Sequence, residues 1–166
     1  VQTCALPNLT PSWVWAKAPS GIGNQEGIEC ITDSVGNVYI IGEYDSIMNF
    51  GSTLLTDTIP YSFREFIAKY DVNGNCLWAK RFSHKFGILY HGIAFDHSGN
   101  LIILGLIQGP LTIVNFDSIY IGVGATNTIL IKMDPNGNYI WAKVINQNEM
   151  NPRAIACDLQ DNIIIT

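Results

Sequence analysis

Apolar and β-branched residues fall in short runs of strand length, each bounded by turn residues, so the chain reads as strands. Ile28–Thr32, Val38–Ile41, Arg64–Tyr70 and Cys76–Lys80 make one group of four. Gly92–Phe95, Leu101–Leu104, Thr128–Met133 and Tyr139–Lys143 make a second, and Ala154–Cys157 with Ile163–Thr166 begin a third. Paired strands are separated by a recurring turn that runs from Asp33 to Asn37, Asp71 to Asn75, Asp96 to Asn100, Asp134 to Asn138 and Asp158 to Asn162. Aspartate at the start of a turn accepts backbone N–H bonds, and Gly or Asn near its end tolerates φ > 0, so each turn predicts a hairpin.

The pattern is periodic. Asn73–Lys80 (N-G-N-C-L-W-A-K) returns as Asn136–Lys143 (N-G-N-Y-I-W-A-K), its tail appears first as Trp15–Lys17, and Trp15, Trp78 and Trp141 stand 63 residues apart. A fixed period in this range signals a repeat architecture, and four short antiparallel strands per unit is the signature of a propeller blade. The expected fold is all-β, with β-propeller blades of four antiparallel strands in an incomplete ring of about two and a half blades. Residues 1–12 read as an extended lead-in and 13–17 as the outer strand of a preceding blade. Residues 18–80 form blade 1, 81–143 blade 2, and 144–166 the first half of blade 3. A closed propeller takes roughly four to eight blades, so the chain is expected to be a fragment of a longer protein or to associate with other copies. The mid-repeat ending favours the fragment. Glu43–Ser62 and Leu106–Asn127 differ in internal spacing while preserving the period, as expected of surface loops on a rigid scaffold.

Composition narrows the function. Only 14% of residues are charged and 48% are hydrophobic, against roughly 25% charged in an average domain, so many side chains should face another layer. Net charge is −5, and nine Lys and Arg are dispersed, which argues against a nucleic-acid partner. No apolar run approaches the roughly 20 residues of a membrane helix. The start at Val1, without a charged-then-apolar leader, suits a mature or excised segment. Cys4, Cys30, Cys76 and Cys157 lack C-x-x-C spacing, so zinc is not expected. Cys30 and Cys157 read as buried free thiols, and a disulfide from Cys4 is left open.

Each candidate chemistry competes with an architectural reading. The Asp71–Asn75 oxygens could suggest calcium, but a calcium loop wants six to eight oxygens, and the turn reading accounts for Asp33, Asn37, Asp71, Asn75, Asp96, Asn100, Asp134 and Asn138 alike. Trp15, Trp78 and Trp141 recur at one outer-strand position, which inter-blade packing explains better than a sugar platform. The off-repeat aromatics Trp13, Tyr61, Phe63, Tyr90 and Tyr120 are the candidate ligand-binding residues. His84, His91 and His97 read as loop or turn residues without metal spacing. No nucleophile elbow occurs, and Gly21-Ile-Gly23 lacks the context of a dinucleotide loop, so no cofactor is expected.

Gly92-Ile-Ala-Phe-Asp96, Gly99-Asn100, Gly105, Asn49-Phe50, and Phe66-Ile-Ala-Lys-Tyr-Asp71 through Lys80 resemble the SBBP-type β-propeller repeat of large secreted and cell-surface bacterial proteins. The resemblance covers about residues 13–166 and brings no catalytic residue. It implies a propeller, export, and a role in display, adhesion or ligand binding. The expected function is therefore a non-enzymatic extracellular scaffold or recognition module. Its expected partners are further blades in the same or another chain and a protein or glycan ligand, met by loops such as Ala18–Gly27, Arg81–His91 and Val144–Arg153. One alternative is a polysaccharide hydrolase or lyase using acids such as Asp45, Asp117 and Glu149, which would have to converge within roughly 5 to 10 Å. The other is a self-assembling structural protein.

Overall fold

The computed structural model describes residues 14–56, 64–82, 88–108, 126–146 and 152–166, and every secondary-structure element among them is a strand. Along the chain come β1 (Ser20–Ile22), β2 (Gln25–Thr32), β3 (Val38–Tyr44), β4 (Ile47–Asn49), β5 (Leu54–Thr56), β6 (Arg64–Tyr70) and β7 (Cys76–Arg81). There follow β8 (Ile88–Phe95), β9 (Leu101–Gln108), β10 (Thr126–Met133), β11 (Tyr139–Asn146), β12 (Ile155–Cys157) and β13 (Ile163–Ile165). The sheet β2-β3-β6-β7 is blade 1, β8-β9-β10-β11 is blade 2, and the pair β12-β13 is a half-blade. All pairings are antiparallel between sequence neighbours within the blade, with the described turns tight. This is the all-β blade architecture that the strand pattern predicts.

Several strands outrun their apolar stretches. β2 begins at Gln25, three residues before the expected Ile28, because Gln25↔Tyr44 and Glu26↔Glu43 continue the ladder. Backbone hydrogen bonding extends a strand wherever a neighbour persists, whatever the side chains.

Two further expectations are corrected. The stretch Glu43–Ser62, read as loop, contains the β4–β5 hairpin, which joins β1 in a separate three-stranded sheet of order β1-β4-β5. Met48, Phe50 and Leu55 from this stretch are buried, but strands of three residues are too short to show a period. Trp15–Lys17 lies in no strand, since an outer strand needs a neighbour to pair with and none is supplied by the described residues.

Alternation along the strands gives each blade two apolar faces. Tyr39, Ile41 and Ile67 on the trailing face of blade 1 pack with Ile93, Leu101, Ile103, Ile129 and Ile131 on the leading face of blade 2. Blade 2 presents Ile102, Leu104 and Leu130 on its trailing face to Ile155, Cys157, Ile163 and Ile165. The faces are related by the repeat: Ile40 corresponds to Ile103, Phe66 to Ile129 and Tyr70 to Met133. Asp158 follows Asp96 by 62 residues, so Cys30, Ile93 and Ile155 are equivalent, as are Glu29, Gly92 and Ala154. Fully burying each such aliphatic side chain contributes roughly 1.5–3 kcal/mol.

Stacking also explains a third correction. Cys30 is exposed and Cys157 half-buried, whereas Ile93 is only 4% exposed. Ile93 is covered by blade 1, and among the described residues no blade covers Cys30.

Candidate functional site

At one end of the blades the aspartate turns form closed hydrogen-bond networks. Asp33 Oδ1 accepts the N–H groups of Val35 (3.2 Å) and Asn37 (2.8 Å), and its Oδ2 accepts Asn37 Nδ2 (2.8 Å). Backbone bonds run from Asp33 N to Asn37 O (2.9 Å) and from Gly36 N to Asp33 O (3.0 Å). Asp71, Asp134 and Asp158 repeat the arrangement with Asn75, Asn138 and Asn162. Asp96 accepts the backbone N–H and Nδ2 of Asn100 in the same way, and its Oδ2 pairs with Lys132 Nζ at 2.6 Å.

These donors set the acidities. The Asn75 amide and backbone N–H hold the Asp71 carboxyl below the usual carboxylate range. Burial pushes Asp33, Asp96 and Asp134 upward, but their hydrogen-bond donors outweigh it and the net shift is downward. With both oxygens of each carboxylate already accepting hydrogen bonds, the turns do structural chemistry. No group of three or more His, Cys, Asp or Glu suited to a metal occurs among the described residues.

The tryptophans link each unit to the next. Trp15 Nε1 donates to Val72 O (3.0 Å), and Trp78 Nε1 donates to Pro135 O (3.3 Å), the equivalent carbonyl one repeat later. Lys80 Nζ adds a bond to Gly137 O (2.5 Å). A Cβ on Gly74 would lie 2.8 Å from the Trp15 ring, and one on Gly137 3.1 Å from that of Trp78. Glycine therefore serves these turns twice, through positive φ (77° at both) and through the indole's approach. Trp141 packs against the buried Ile102, Leu104 and Leu130 of its own blade, with the Lys143 ammonium 5.2 Å from its ring centroid.

The other end carries the variable connections. Trp13, Tyr61, Phe63 and Tyr120 lie outside the described residues, and Tyr90 is placed only by its backbone, opposite Gly105 in β8. Asp117, Glu149 and His84 are outside them as well. Asp45 accepts the Ser46 hydroxyl (2.9 Å) between β3 and β4. His97 is a turn residue whose N–H donates to Asp161 Oδ1 (2.6 Å), tying the blade 2 turn to that of the half-blade.

His91 departs from its loop assignment. It sits inside β8, at a bulge between Tyr90 and Gly92, and Ile28 occupies the same bulge in β2. Arg153 and Ala154 both donate to Thr166 O, the corresponding geometry in the half-blade. A bulge leaves its extra residue out of the ladder and re-aims its side chain. Burial, then Arg153, lowers the pKa of the His91 imidazole.

One cluster was not visible in the linear order. Glu26, Glu43 and Glu65 are direct cross-strand partners on β2, β3 and β6. Burial, then Glu26 and Glu65, pushes the Glu43 carboxyl up. Only the register, which the chain order does not reveal, could have found this row.

Two clefts flank residues 14–19. One of about 450 Å³ is lined by Lys17, Asn49, Phe50, Ser52, Tyr70 and Cys76. The other, of about 320 Å³, reaches Trp15, Gln25, Ile40, Met48 and Phe66. In blade 2 the equivalents of Ile40, Phe66, Tyr70 and Cys76 are Ile103, Ile129, Met133 and Tyr139, which lie under blade 1. The clefts therefore follow a surface whose repeat equivalent packs against a blade.

No family model matches the chain. It is similar to a protein of Acanthamoeba polyphaga mimivirus described as an uncharacterized WD repeat-containing protein, at 30% identity over 152 residues. The match covers 80% of this chain, which spans 11% of the length of that relative. The likeness and the four-stranded sheets together mark a β-propeller-like repeat, whereas the narrower SBBP type rests on the sequence motifs alone.

Proposed function

We propose that the chain is a non-enzymatic β-propeller scaffold or recognition module within a larger extracellular or cell-surface protein. The observation that carries this reading is the engagement of the recurring polar residues. Turn aspartates and asparagines bond within their turns, and Trp15, Trp78 and Lys80 bond to the following unit. Variable chemistry is left to the opposite end, as in scaffolds that carry binding residues on loops. A relative described as WD repeat-containing supports the propeller reading and assigns no reaction.

A protein or glycan ligand would meet the loop aromatics Trp13, Tyr61, Phe63, Tyr90 and Tyr120, whose rings suit contact with an apolar or sugar face. The test pairs binding with turnover. The chain is incubated with a panel of polysaccharides, and both retention and new reducing or unsaturated ends are measured. Binding without cleavage is expected. Cleavage abolished by Asp45→Asn, Asp117→Asn or Glu149→Gln would overturn the non-enzymatic reading. Native protein found only inside the producing cells would overturn the extracellular part.

A further inference from the structure

The innermost strands of successive units converge. Packed sheets stand about 10 Å apart, so blade 1 and the half-blade, with blade 2 between them, would be about 20 Å apart in a parallel stack. Yet a Cβ at Gly92 in β8 would lie 3.0 Å from Ile155 Cγ2 in β12 and 3.7 Å from Glu29 Oε2 in β2. Blades splayed around an axis come together in this way only at their inner strands, so β2, β8 and β12 line the central channel of the propeller.

Each of these strands changes character at one level. Cys30, Ile93 and Ile155 are equivalent and apolar, as are Ile31, Ala94 and Ala156. Just before them the units carry Ile28-Glu29, His91-Gly92 and Arg153-Ala154. An acid, an imidazole and a guanidinium thus enter on three neighbouring strands, where blade packing requires none of them. The bulges at Ile28 and His91, and the Thr166 carbonyl shared by Arg153 and Ala154, re-aim side chains at this same level. His91 and Arg153 also end the connections expected to meet a ligand.

Their polar groups are unmatched among the described residues. His91 Nε2 is buried without a hydrogen-bond partner, and the charge of Arg153 is felt at its ring. Glu29 accepts the Ile93 N–H, yet burial still pushes its carboxyl up, and no ion pair joins it to Arg153. A group that satisfies both must bring a negative end and hydrogen-bond donors. Arg presents a planar fork that matches a carboxylate with two parallel N–H bonds, whereas an ionised Glu only accepts. Neutral hydroxyls suit Glu29 better than an ammonium, because a second cation beside Arg153 would have to be desolvated. We propose that the channel level of Glu29, His91 and Arg153 binds a sugar acid, its carboxylate on the Arg153 guanidinium and its hydroxyls donating to Glu29. The His91 imidazole forms the wall between them, and Gly92 keeps that wall thin. This site lies on inner strands and not on the loop aromatics, so its failure would leave the proposed ligand role standing.

Isothermal titration of the chain supplies the test. D-galacturonate should bind at least about tenfold more tightly than D-galactose, which lacks the carboxylate, acetate, which lacks the hydroxyls, and glycine, which offers an ammonium instead. Arg153→Gln should weaken galacturonate by at least about tenfold, and Arg153→Lys, which keeps the charge but not the fork, should fall between. Glu29→Gln should narrow the lead of galacturonate over acetate. Lys17→Gln removes the same charge from an exposed position off the channel and should leave affinity unchanged. Retention of polygalacturonate, displaced by the monomer, would identify a uronate within a polymer as the source, and binding of the monomer alone a free sugar acid. No binding of galacturonate, equal affinity for acetate, or binding undiminished in Arg153→Gln would each overturn the proposal.

Discussion

Gly99 and Gly137 share a φ of 77° and equivalent turns, yet their surroundings differ. Open space surrounds a Cβ at Gly99, while at Gly137 the Trp78 ring is in the way. Gly99→Ala should therefore cost about 1 kcal/mol from the left-handed backbone alone. Gly137→Ala should cost at least about 1 kcal/mol more, because a packed indole must move, a difference that denaturant melts of the two variants can read. Carboxylates divide just as sharply. Asp33, Asp96 and Asp134 have pKa values depressed in the folded state, so their contribution is present above the unfolded value of about 3.9 and is lost as pH falls through the folded ones. Glu43 runs the opposite way, raised by burial and by Glu26 and Glu65. Its charge opposes folding at neutral pH, and the opposition fades as pH drops through its raised folded value. Glu43→Gln should stabilise the chain at pH 7 by on the order of 0.5 kcal/mol, and melts at pH 4 should show a smaller gain.

Among elements, the outer strands show how one motif takes two strengths. Trp78 in β7 bonds to the carbonyl of Pro135 and packs against the buried cluster between blades. Trp141 in β11 packs against the smaller cluster of Ile102, Leu104 and Leu130 in its own blade. Trp78→Ala should cost about 3 kcal/mol and Trp141→Ala less than half of that, as chemical denaturation of both would show. Ile67→Ala, on the fully buried trailing face of blade 1, should cost about 2–5 kcal/mol. Hairpins around Asp33, Asp71, Asp96, Asp134 and Asp158 were legible because a turn's requirements are local. The small sheet of β1, β4 and β5 was not. Its three-residue strands owe their existence to the surface of blade 1 on which Met48, Phe50 and Leu55 pack.

At the scale of the whole molecule, low charge and alternation on both sides of a strand imply layers, and the structure shows those layers stacking in one sense. The 63-residue period, the order of strands within a blade and the turn chemistry are determined by the sequence itself, because each depends on residues a few positions apart. Tertiary structure alone decided what each face meets. It exposed Cys30 while burying its repeat equivalent Ile93, drew Glu26, Glu43 and Glu65 into one row, and placed His91 on a bulge instead of in a loop. Alternation says which side chains share a face, but whether that face is covered depends on a neighbouring blade that lies a full repeat away.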